Sequence, residues 1–328
     1  MSHLPASPAV SPPDAVRIAA VRAGLLGWFA ENARDLPWRR TRDPYRILIS
    51  EIMLQQTHVD RVLPCYHSFL ERVPDERSLA DAPASDVIRQ WKGLGYNRRA
   101  VNLQRAVQHV VRELGGVWPR EVARLRELPG VGPYTAGAIA CFAFEQDASF
   151  IDTNMRRVLH RLFAGPDLPA PLAGDREIVA LAARVLPPGD GWRWNQGLIE
   201  FGALQCTARK PACVVCPLQR QCAAYPAIQG VIAALPRGAA RKKEQPFEGS
   251  NRWYRGRIID ALRAAHDRDE PGVVLSALGP VVRPDFSDDH LPWLRGLVAD
   301  LARDGLAAIR EDAPAWDAPA GPMVRLPD

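Results

Sequence analysis

Four cysteines that could bind a metal lie close together in the chain. Cys206, Cys213, Cys216 and Cys222 have the spacing C-x6-C-x2-C-x5-C. So many thiols in a sequence of intracellular type favour a metal ion or a metal cluster over disulfides. Zinc ribbons usually pair two short C-x-x-C knuckles, and only Cys213 and Cys216 have that spacing. Zinc is therefore the less favoured alternative at this point.

Two carboxylates have surroundings that suit chemistry. Glu51 lies in the segment 44–57, which reads as a helix that is apolar almost all round. A carboxylate there must be paired or must stay protonated, so it is either a functional acid or half of a structural ion pair with an arginine. Asp152 directly precedes a predicted helix whose first amides favour an anion. Two carboxylates in different protonation states suit acid catalysis beside a stabilising anion.

A glycine-containing turn precedes another apolar helix. In Leu128-Pro-Gly-Val-Gly132, Gly130 and Gly132 permit a tight turn whose amides point outward, and Pro133 suits the first helical turn. Such a turn binds an anion, and we expect a DNA phosphate. An ordinary helix-helix turn is the alternative.

Length and charge narrow the class of protein. The chain has 328 residues, and no apolar run reaches the roughly 18 residues that a membrane span requires. Residues 1–13 have no signal-peptide pattern and are expected to be disordered, so the sequence predicts a soluble, cytoplasmic protein. The net charge is +5, but residues 251–328 carry ten arginines against thirteen carboxylates, a net charge of −3. Nucleic-acid binding is therefore expected mainly in residues 1–250.

The C-terminal segment 251–328 has a pattern of its own. A linker is predicted over 226–250, followed by helical or apolar segments at 252–266, 272–278 and 290–304 and by two paired strands at 306–310 and 323–326. Three helices and a hairpin predict a small winged-helix-like α/β module. Its acidity indicates an accessory or packing role.

The motifs together resemble a known superfamily. LPGVGPYTAGAI followed by FIDTNMRRVL, the segment SEIMLQQT and the cysteine pattern resemble the helix-hairpin-helix glycosylases of the endonuclease III superfamily, and specifically their adenine glycosylase (MutY) branch. The resemblance implies a mainly α, two-lobed fold, a [4Fe-4S] cluster on the four cysteines, and mispaired double-stranded DNA as partner. It implies a cluster domain from 14–40 and 145–225, and a helical barrel domain with the hairpin over 41–144.

The resemblance also assigns catalytic roles. Glu51 would protonate adenine N7, and ionised Asp152 would stabilise the oxocarbenium-like sugar, so that adenine opposite 8-oxoguanine or guanine is removed by hydrolysis. Bifunctional endonuclease III proteins have a lysine where this chain has Tyr134. A monofunctional glycosylase without strong lyase activity is therefore expected.

Other residues are expected to contact DNA or the flipped base. Gln56 would intercalate, Thr57 would contact the opposite base, and Gln196 would contact the adenine edge. The remaining positions in this set are Trp38, Arg39, Tyr96, Gly130, Gly132, Asn154, Arg209 and Lys210. For Trp38 and Arg39 the residues themselves favour a helix-exit loop with a buried tryptophan.

Two features depart from the family pattern. Asn97 stands where a second aromatic residue is common, and the C-terminal segment lacks the pattern of the Nudix-like domain that inspects oxoguanine. A thymine or uracil mismatch glycosylase of the same superfamily is therefore the second hypothesis. A non-catalytic DNA-binding repair protein is the third. A monomer associated with the nucleoid is expected in each case.

Overall fold

The computed structural model describes residues 13–235, 246–310 and 321–328, and these residues are mainly helical. The predicted N-terminal disorder and the basic part of the predicted linker, residues 236–245, fall outside the described residues apart from Pro13. The helices are α1 Ala15–Asn32, α2 Pro44–Leu54, α3 Val59–Arg72, α4 Glu76–Asp81, α5 Ala84–Gln90, α6 Arg98–Arg112, α7 Val122–Leu125, α8 Pro133–Phe142, α9 Thr153–Phe163, α10 Asp175–Val185, α11 Gly191–Leu204, α12 Ala227–Ala234, α13 Asn251–Asp267, α14 Leu275–Val282 and α15 Leu291–Arg303. Short 3-10 turns occur at Pro37–Arg39, Cys213–Val215, Gln219–Gln221 and Asp288–His290. The strands are β1 Val273–Val274, β2 Ala308–Arg310 and β3 Met323–Arg325.

The chain divides into two compact units. The first comprises Met1–Ile47, Pro119–Glu127 and Val131–Ala239, and the second comprises Leu48–Trp118, Leu128–Gly130 and Ala240–Asp328. These limits differ from the predicted domain limits, because residues 131–144 fall in the first unit and the C-terminal segment falls in the second. Helix α12 also occupies part of the predicted linker.

Helix α1 organises the first unit. Asp14 caps it by accepting a hydrogen bond from the amide of Arg17 at 2.7 Å, which satisfies an otherwise unpaired donor of the first turn. Its buried face, which includes Leu25 and Phe29, packs against α11. Gly197 of α11 faces this surface, and a Cβ there would make an ordinary contact of 3.4 Å with the Cβ of Phe29.

Helix α8 is buried along almost its whole length. Its residues from Thr135 to Phe142 are all buried, as the apolar sequence predicts. Gly137 faces Phe150 so closely that an added Cβ would lie 2.7 Å from the Cβ of Phe150. The missing side chain therefore lets the segment before Asp152 pack directly on α8.

Helix α6 is central to the second unit, where it packs against α4 and α5. Its buried Gln104 donates hydrogen bonds to the carbonyls of Leu79 at 3.2 Å and Ala82 at 2.7 Å. A single polar side chain thus satisfies two carbonyls near the end of α4.

The C-terminal segment of the second unit combines α13, α14 and α15 with a three-stranded antiparallel sheet of order β1-β3-β2. The predicted pairing of the last two strands is observed, with Ile309 opposite Val324, and β1 is an additional strand. The core of this module includes Ile88 of α5 and Val101 of α6. The module therefore shares a hydrophobic core with the earlier helices of the unit. Within the described ranges, no helix is long and apolar enough to span a membrane.

The packing of Gly137 on Phe150 gives a stability prediction. Gly137→Ala should lower the free energy of unfolding by roughly 1–3 kcal/mol, because the new methyl group overlaps the base of the Phe150 side chain. Urea denaturation followed by circular dichroism measures the change. Gly27→Ala is the matched control: Gly27 is exposed in α1 with open space around it, so alanine there should raise stability by up to about 1 kcal/mol. Equal effects of the two substitutions would contradict the packing argument.

Candidate active site

Asp152 caps α9 from a partly buried position. Its Oδ1 accepts a hydrogen bond from the amide of Met155 at 2.6 Å, and its Oδ2 accepts one from Nδ2 of Asn154 at 3.2 Å. The N-cap position therefore fixes the carboxylate at the positive end of the helix, as the sequence predicts.

The electrostatic balance at Asp152 differs from the expected one. Burial raises the pKa of this carboxyl above its ordinary value, and the hydrogen bonds from Met155 and Asn154 and the charge of Arg157 lower it only in part. The sequence favoured an ionised Asp152. Because its pKa is raised, Asp152 ionises at a higher pH than an exposed aspartate does.

Asn154 connects Asp152 to the cysteine segment. Oδ1 of Asn154 accepts a hydrogen bond from Arg157 at 2.8 Å, and Arg157 also donates to the carbonyls of Gly202 at 2.7 Å and Cys206 at 2.8 Å. The approach of α11 requires Gly202, since a Cβ there would lie 2.8 Å from the Cβ of Asn154. The sequence did not single out Arg157, because two of its partners, the carbonyls of Gly202 and Cys206, are 45 and 49 residues away in the chain.

Tyr134 lies in the first turn of α8. Its ring packs edge-to-face on Phe150, with ring centroids 5.3 Å apart, and Phe150 packs in the same way on Phe142 at 5.6 Å. Tyr134 therefore contacts the segment that leads into Asp152. Both residues belong to the first unit, which brings two of the predicted catalytic positions into one local cluster.

Glu51 belongs to the second unit and is 6% exposed in α2. Its neighbours along the helix, Ser50, Ile52 and Met53, are equally buried. The predicted burial of this carboxylate is therefore observed. A buried carboxylate is either protonated or held by charged or hydrogen-bonding partners.

The turn after α2 is held by one buried guanidinium. Arg99 donates to the carbonyls of Ile52, Met53 and Gln55 at 2.8, 3.0 and 2.6 Å, and to Oγ of Thr57 at 3.2 Å. These carbonyls lie at the end of α2, where backbone acceptors lack helical partners. Burial lowers the pKa of Arg99 to about 10, so the side chain stays charged at neutral pH. The side chain of Arg99 is therefore directed into the protein.

Gln56, Thr57 and Tyr96 come together at this turn. Arg99 also donates to the carbonyls of Leu94 at 3.0 Å and Gly95 at 3.1 Å, so it joins the two loops. Gln56 and Tyr96 are exposed and both have a positive φ, 54° and 45° respectively. Because a left-handed backbone is strained for such residues, the surrounding contacts must impose it.

The glycine turn has the expected local geometry. Gly130 has a φ of 75°, and an added Cβ would lie 2.7 Å from the side chain of Asn102. Gly132 is exposed and extended and precedes Pro133, the first residue of α8. Gly132 carries no side chain that could cover the first amides of α8. The start of this helix is therefore suited to binding an anion.

Arg39 and Gln196 are brought together, but in the interior. Arg39 donates to Oε1 of Gln196 at 2.8 Å, to the carbonyl of Arg34 at 2.9 Å and to Oε2 of Glu200 at 2.9 Å. Trp38 is 5% exposed. The preferred interpretation of this segment, a helix-exit loop with a buried tryptophan, agrees with these contacts.

Glu200 was missed by sequence reasoning. It is fully buried in α11 and also accepts three hydrogen bonds from Arg34, one from the amide and two from the guanidinium at 2.8 and 2.7 Å. Burial alone would raise its pKa, but the hydrogen bonds of Arg34 and Arg39 outweigh burial and lower the pKa to about 2. A carboxylate in an apolar helix was the available signal, the same one that identified Glu51.

The four predicted ligand cysteines lie on one compact segment. Burial raises the pKa of each thiol, and neighbouring thiolates raise it further: Cys216 is affected by Cys206, Cys213 and Cys222, and its pKa reaches about 11. Such mutual effects require the four sulfurs to lie close together. Deprotonated thiolates at this density therefore need a cation to compensate their charge.

The four cysteines fit an iron–sulfur cluster by their chemistry and spacing. Thiolates are the ligands that such clusters take, and the spacing C-x6-C-x2-C-x5-C lacks the second short C-x-x-C knuckle of a zinc ribbon. Buried Arg161 supports the site, since it donates to Sγ of Cys206 at 3.7 Å and to the carbonyls of Thr207 and Ala208 at 2.8 and 2.9 Å.

Arg161 also fixes the cationic loop between the first two cysteines. Its contacts with Thr207 and Ala208 hold the backbone directly before Arg209 and Lys210, whose side chains are exposed. The predicted cationic loop is thus present on the surface of the first unit. Exposed charges on a fixed backbone suit contact with phosphates.

Comparison with known proteins identifies the family. Residues 49–182 match the HhH-GPD superfamily of base excision DNA repair proteins, and residues 206–222 match the iron-sulfur binding domain of endonuclease III. The adenine DNA glycosylase of Mycolicibacterium smegmatis is 39% identical over 241 residues, which cover 73% of this chain and 79% of the relative. The chain belongs to the adenine DNA glycosylase family. The adenine DNA glycosylase of Mycobacterium tuberculosis is 38% identical, covering 81% of this chain and 84% of the relative.

Solved structures confirm the fold of this adenine DNA glycosylase family member. A thermostable thymine-DNA glycosylase is 33% identical with a TM-score of 0.60, covering 65% of this chain and 99% of that chain. A non-covalent endonuclease III-DNA complex, at 23% identity, has a TM-score of 0.53 and covers 62% and 94%. The predicted mainly α helix-hairpin-helix fold and the iron–sulfur cluster of the endonuclease III type are thereby confirmed.

The ion pairs of Glu200 give a second prediction. Glu200→Gln should destabilise the protein by about 3 kcal/mol at pH 7, because the buried guanidinium of Arg39 and the partly exposed one of Arg34 lose their counter-charge. The folded-state pKa is depressed, so the carboxylate stabilises the fold fully above pH 4.5 and progressively less as pH falls toward about 2. Urea unfolding at pH 7 and at about pH 3 should therefore show a smaller difference between variant and wild type at the lower pH. An unchanged difference would mean that the charge of Glu200 is unimportant.

Proposed function

We propose that this protein is a monofunctional adenine DNA glycosylase of base excision repair, which removes adenine opposite 8-oxoguanine or guanine from double-stranded DNA. The observation that carries the proposal is the partly buried, helix-capping Asp152, with Tyr134 packed on Phe150 of the preceding segment, in a chain 39% identical to a named adenine DNA glycosylase. A base inside a duplex is inaccessible, so the enzyme must first flip it out, which costs a few kcal/mol.

Asp152 would stabilise the positive charge that develops on the sugar as the glycosidic bond breaks. Two hydrogen bonds fix its carboxylate before the substrate arrives, so little reorganisation is needed in the transition state. Its partial burial strengthens the attraction to a cation, because little water screens the charge. Asn154 would position the carboxylate in its productive orientation.

Glu51 would act as the general acid and protonate N7 of adenine, so that the base leaves in a less basic form. Its burial in α2 supports this role, since an apolar environment favours the protonated carboxyl group. Arg99 would hold the end of α2 and thereby the helix that carries Glu51. After proton transfer the same carboxylate would activate the water that completes hydrolysis.

Tyr134 accounts for a monofunctional reaction. Strand cleavage by a bifunctional glycosylase requires an amine that forms a Schiff base with the sugar, and a phenol cannot do so. The ring would instead shape the sugar side of the site through its contact with Phe150. The product would be an abasic site in an uncut strand.

The remaining predicted residues are proposed to bind DNA. The hairpin amides at Gly130 and Gly132 and the cations Arg209 and Lys210 would contact phosphates. Gln56 would enter the duplex, while Thr57 and Tyr96 would contact the opposite strand. Trp38, Arg39 and Gln196 would shape the adenine pocket from behind, because Arg39 and Gln196 hydrogen-bond each other in the interior.

The [4Fe-4S] cluster would be held by Cys206, Cys213, Cys216 and Cys222. Its irons would compensate the charge of the four thiolates and so fix the surrounding loop, and the proposed role is structural. Removal of the cluster would loosen the backbone of Arg209 and Lys210. We further propose that the protein acts as a monomer in the cytoplasm on nucleoid DNA, with 251–328 as a winged-helix-like accessory module.

A second function, thymine mismatch removal, is favoured by one observation. The solved thymine-DNA glycosylase is similar over 99% of its length with a TM-score of 0.60. Glu51 and Asp152 could serve in the removal of either base, so the shape and polarity of the base pocket would determine whether adenine or thymine is removed. Adenine is preferred here because the named relatives with the greatest coverage are adenine DNA glycosylases.

Single-turnover excision on four duplexes tests the proposal. We expect rapid release of adenine opposite 8-oxoguanine and slower release opposite guanine, with strand cleavage only after alkali. Thymine or uracil opposite guanine should remain. Glu51→Gln should reduce excision by at least about 100-fold, the usual contribution of a general acid, while DNA binding and the melting temperature persist. Release of thymine with adenine intact would transfer the assignment to the mismatch glycosylases, and loss of folding would make Glu51 structural.

The pH dependence of excision tests the role of Asp152. Because burial raises its pKa, the excision rate should fall on the acid side at a pH clearly above 3.8, the ordinary value for aspartate. Asn154→Ala removes a hydrogen bond that stabilises the anion, so this decline should move to a still higher pH. Rate constants measured from pH 4 to pH 8 give both values. A decline at the same pH in both proteins would show that another group titrates.

A further inference from the structure

The buried side chain of Arg161 contacts the first of the four cysteines. It lies in α9 and is 2% exposed, and its Nη1 donates to Sγ of Cys206 at 3.7 Å and to the carbonyl of Thr207 at 2.8 Å. The same nitrogen thus faces the sulfur of Cys206 and the backbone that follows it. Because the group is shielded from water, its charge and its hydrogen bond act on the sulfur with little screening.

The backbone of Arg161 contacts the other end of the cysteine segment. Its carbonyl oxygen accepts a hydrogen bond from the amide of Ala224 at 2.9 Å and lies 3.3 Å from Sγ of Cys222. The carbonyl of the next residue, Leu162, accepts one from the amide of Ala223 at 3.0 Å. One residue of α9 therefore contacts both the first and the last cysteine of the segment. The position of the guanidinium group relative to Cys206 is fixed by a helix rather than by a loop.

Asp167 orients the guanidinium group of Arg161. Its Oδ1 accepts a hydrogen bond from Nε at 2.6 Å, and Nη2 donates to the carbonyl of Ala208 at 2.9 Å. The side chain of Asp167 is 17% exposed, so its negative charge balances Arg161 from a site with little water. These contacts leave Nη1 directed at Sγ of Cys206 and at the carbonyl of Thr207.

Thr207, which directly follows Cys206, carries a buried hydroxyl group. Its Oγ1 has no hydrogen-bond partner among the residues that the structure describes. A buried hydroxyl without a partner is unfavourable, because it has lost water and gained no other acceptor. The carbonyl of the same residue shares Nη1 of Arg161 with Sγ of Cys206. Sulfur atoms at this corner of a bound cluster would supply the acceptor that the hydroxyl lacks.

The thiol pKa values show that the charge of Arg161 acts on the ligand sulfurs. Burial raises the pKa of Cys206, while the charge and the hydrogen bond of Arg161 lower it in part. The same charge lowers the pKa of Cys213 and Cys222 against the larger effect of burial. A group that stabilises a thiolate anion also stabilises cluster sulfurs, and does so more strongly when they are more negative.

We propose that Arg161 and Thr207 donate hydrogen bonds to sulfur atoms at the Cys206 corner of the [4Fe-4S] cluster and thereby raise its reduction potential. The inference goes beyond the proposed function and holds whichever base the enzyme removes. A cluster held by four thiolates is an anion, and loss of one electron to a one-electron oxidant makes its sulfurs less negative. Hydrogen-bond donors favour the more negative sulfurs, so they oppose this loss. The cluster is thereby kept in the form that fixes the loop of Arg209 and Lys210.

The reduction potential of the protein with its cluster tests the proposal. At the midpoint potential of wild type, Arg161→Gln should raise the ratio of oxidised to reduced cluster by about tenfold or more, a shift of about 59 mV for a one-electron couple. Thr207→Val, which replaces the hydroxyl by a methyl group, should shift the potential less but in the same direction. Thr207→Ser keeps the hydroxyl and should match wild type. Protein-film voltammetry measures the potentials, after iron and sulfide analysis has verified that each cluster is complete.

Two further variants separate this role from a purely structural one. Asp167→Asn removes a negative charge that balances Arg161, so the potential should rise, opposite to the effect of Arg161→Gln. Arg220→Gln is the matched control, because Arg220 lies between Cys216 and Cys222 but is exposed. Water screens its charge, so the potential should stay nearly unchanged. A purely structural role of Arg161 would not produce opposite shifts in Arg161→Gln and Asp167→Asn.

Resonance Raman spectra of the resting cluster in water and in deuterated water test the hydrogen bonds directly. The Fe–S stretching bands of wild type should shift on deuteration, and Thr207→Val should lose part of that shift.

Three results would overturn the proposal. An equal fall in potential for Arg220→Gln and Arg161→Gln would mean that general charge sets the potential. Unchanged potentials in Arg161→Gln and Thr207→Val would mean that neither donor affects the cluster, and bands insensitive to deuteration would mean that no hydrogen bond reaches it. Thr207→Val and Asp167→Asn decide the question if Arg161→Gln fails to assemble a cluster.

Discussion

The second unit depends on the partial burial of one guanidinium group. Arg99 donates hydrogen bonds to carbonyls at the end of α2 and in the loop before α6. These two segments do not belong to a common helix or sheet, so the guanidinium group links them. Burying this charge is costly, and only a nearly complete set of acceptors offsets the cost. The same hydrogen bonds hold the helix of Glu51, the turn at Gln56 and the loop at Tyr96. The proposed acid Glu51, the turn proposed to enter the duplex and the ring of Tyr96 are therefore positioned by a residue to which no chemical step is assigned.

The first unit uses the same principle around its cysteine segment. Arg157 and Arg161 donate mainly to backbone carbonyls, and Arg39 and Arg34 donate to the carboxylate of Glu200. Buried ion pairs of this kind contribute little net stability compared with apolar packing, but breaking one is strongly destabilising. Their effect is to fix irregular segments in one conformation. Such segments carry the cysteines and the residues around Asp152, where a small displacement would change the chemistry.

Features that depend on residues close together in the chain could be predicted from the sequence. The role of a side chain could not be predicted where it depends on a contact with a residue far away in the chain. The cap at Asp152, the burial of Glu51 and the cysteine spacing follow from residues within a few positions. Glu200 carried the same signal as Glu51, yet its partner Arg34 is 166 residues away, so its structural role needed the fold. The role of Arg99 could not be predicted from the sequence, because its acceptors are mainly backbone carbonyls, which leave no trace in composition. Likewise, Asn97, which departs from the family pattern, accepts a hydrogen bond from Arg263 of α13, a partner 166 residues away that the local sequence could not indicate.

The raised pKa of Asp152 is consistent with its proposed task. A carboxylate that water solvates well gains little from a nearby cation, whereas a partly buried one gains more as positive charge develops on the sugar. The accompanying cost is that the anion becomes less favourable in the free enzyme, which Met155 and Asn154 offset in part. Asn154 is itself held by Arg157, and Arg157 is held by the carbonyl of Cys206. The cysteine segment thus helps to set the orientation of the carboxylate through three hydrogen bonds, so a cluster with no chemical step of its own can still be required for catalysis.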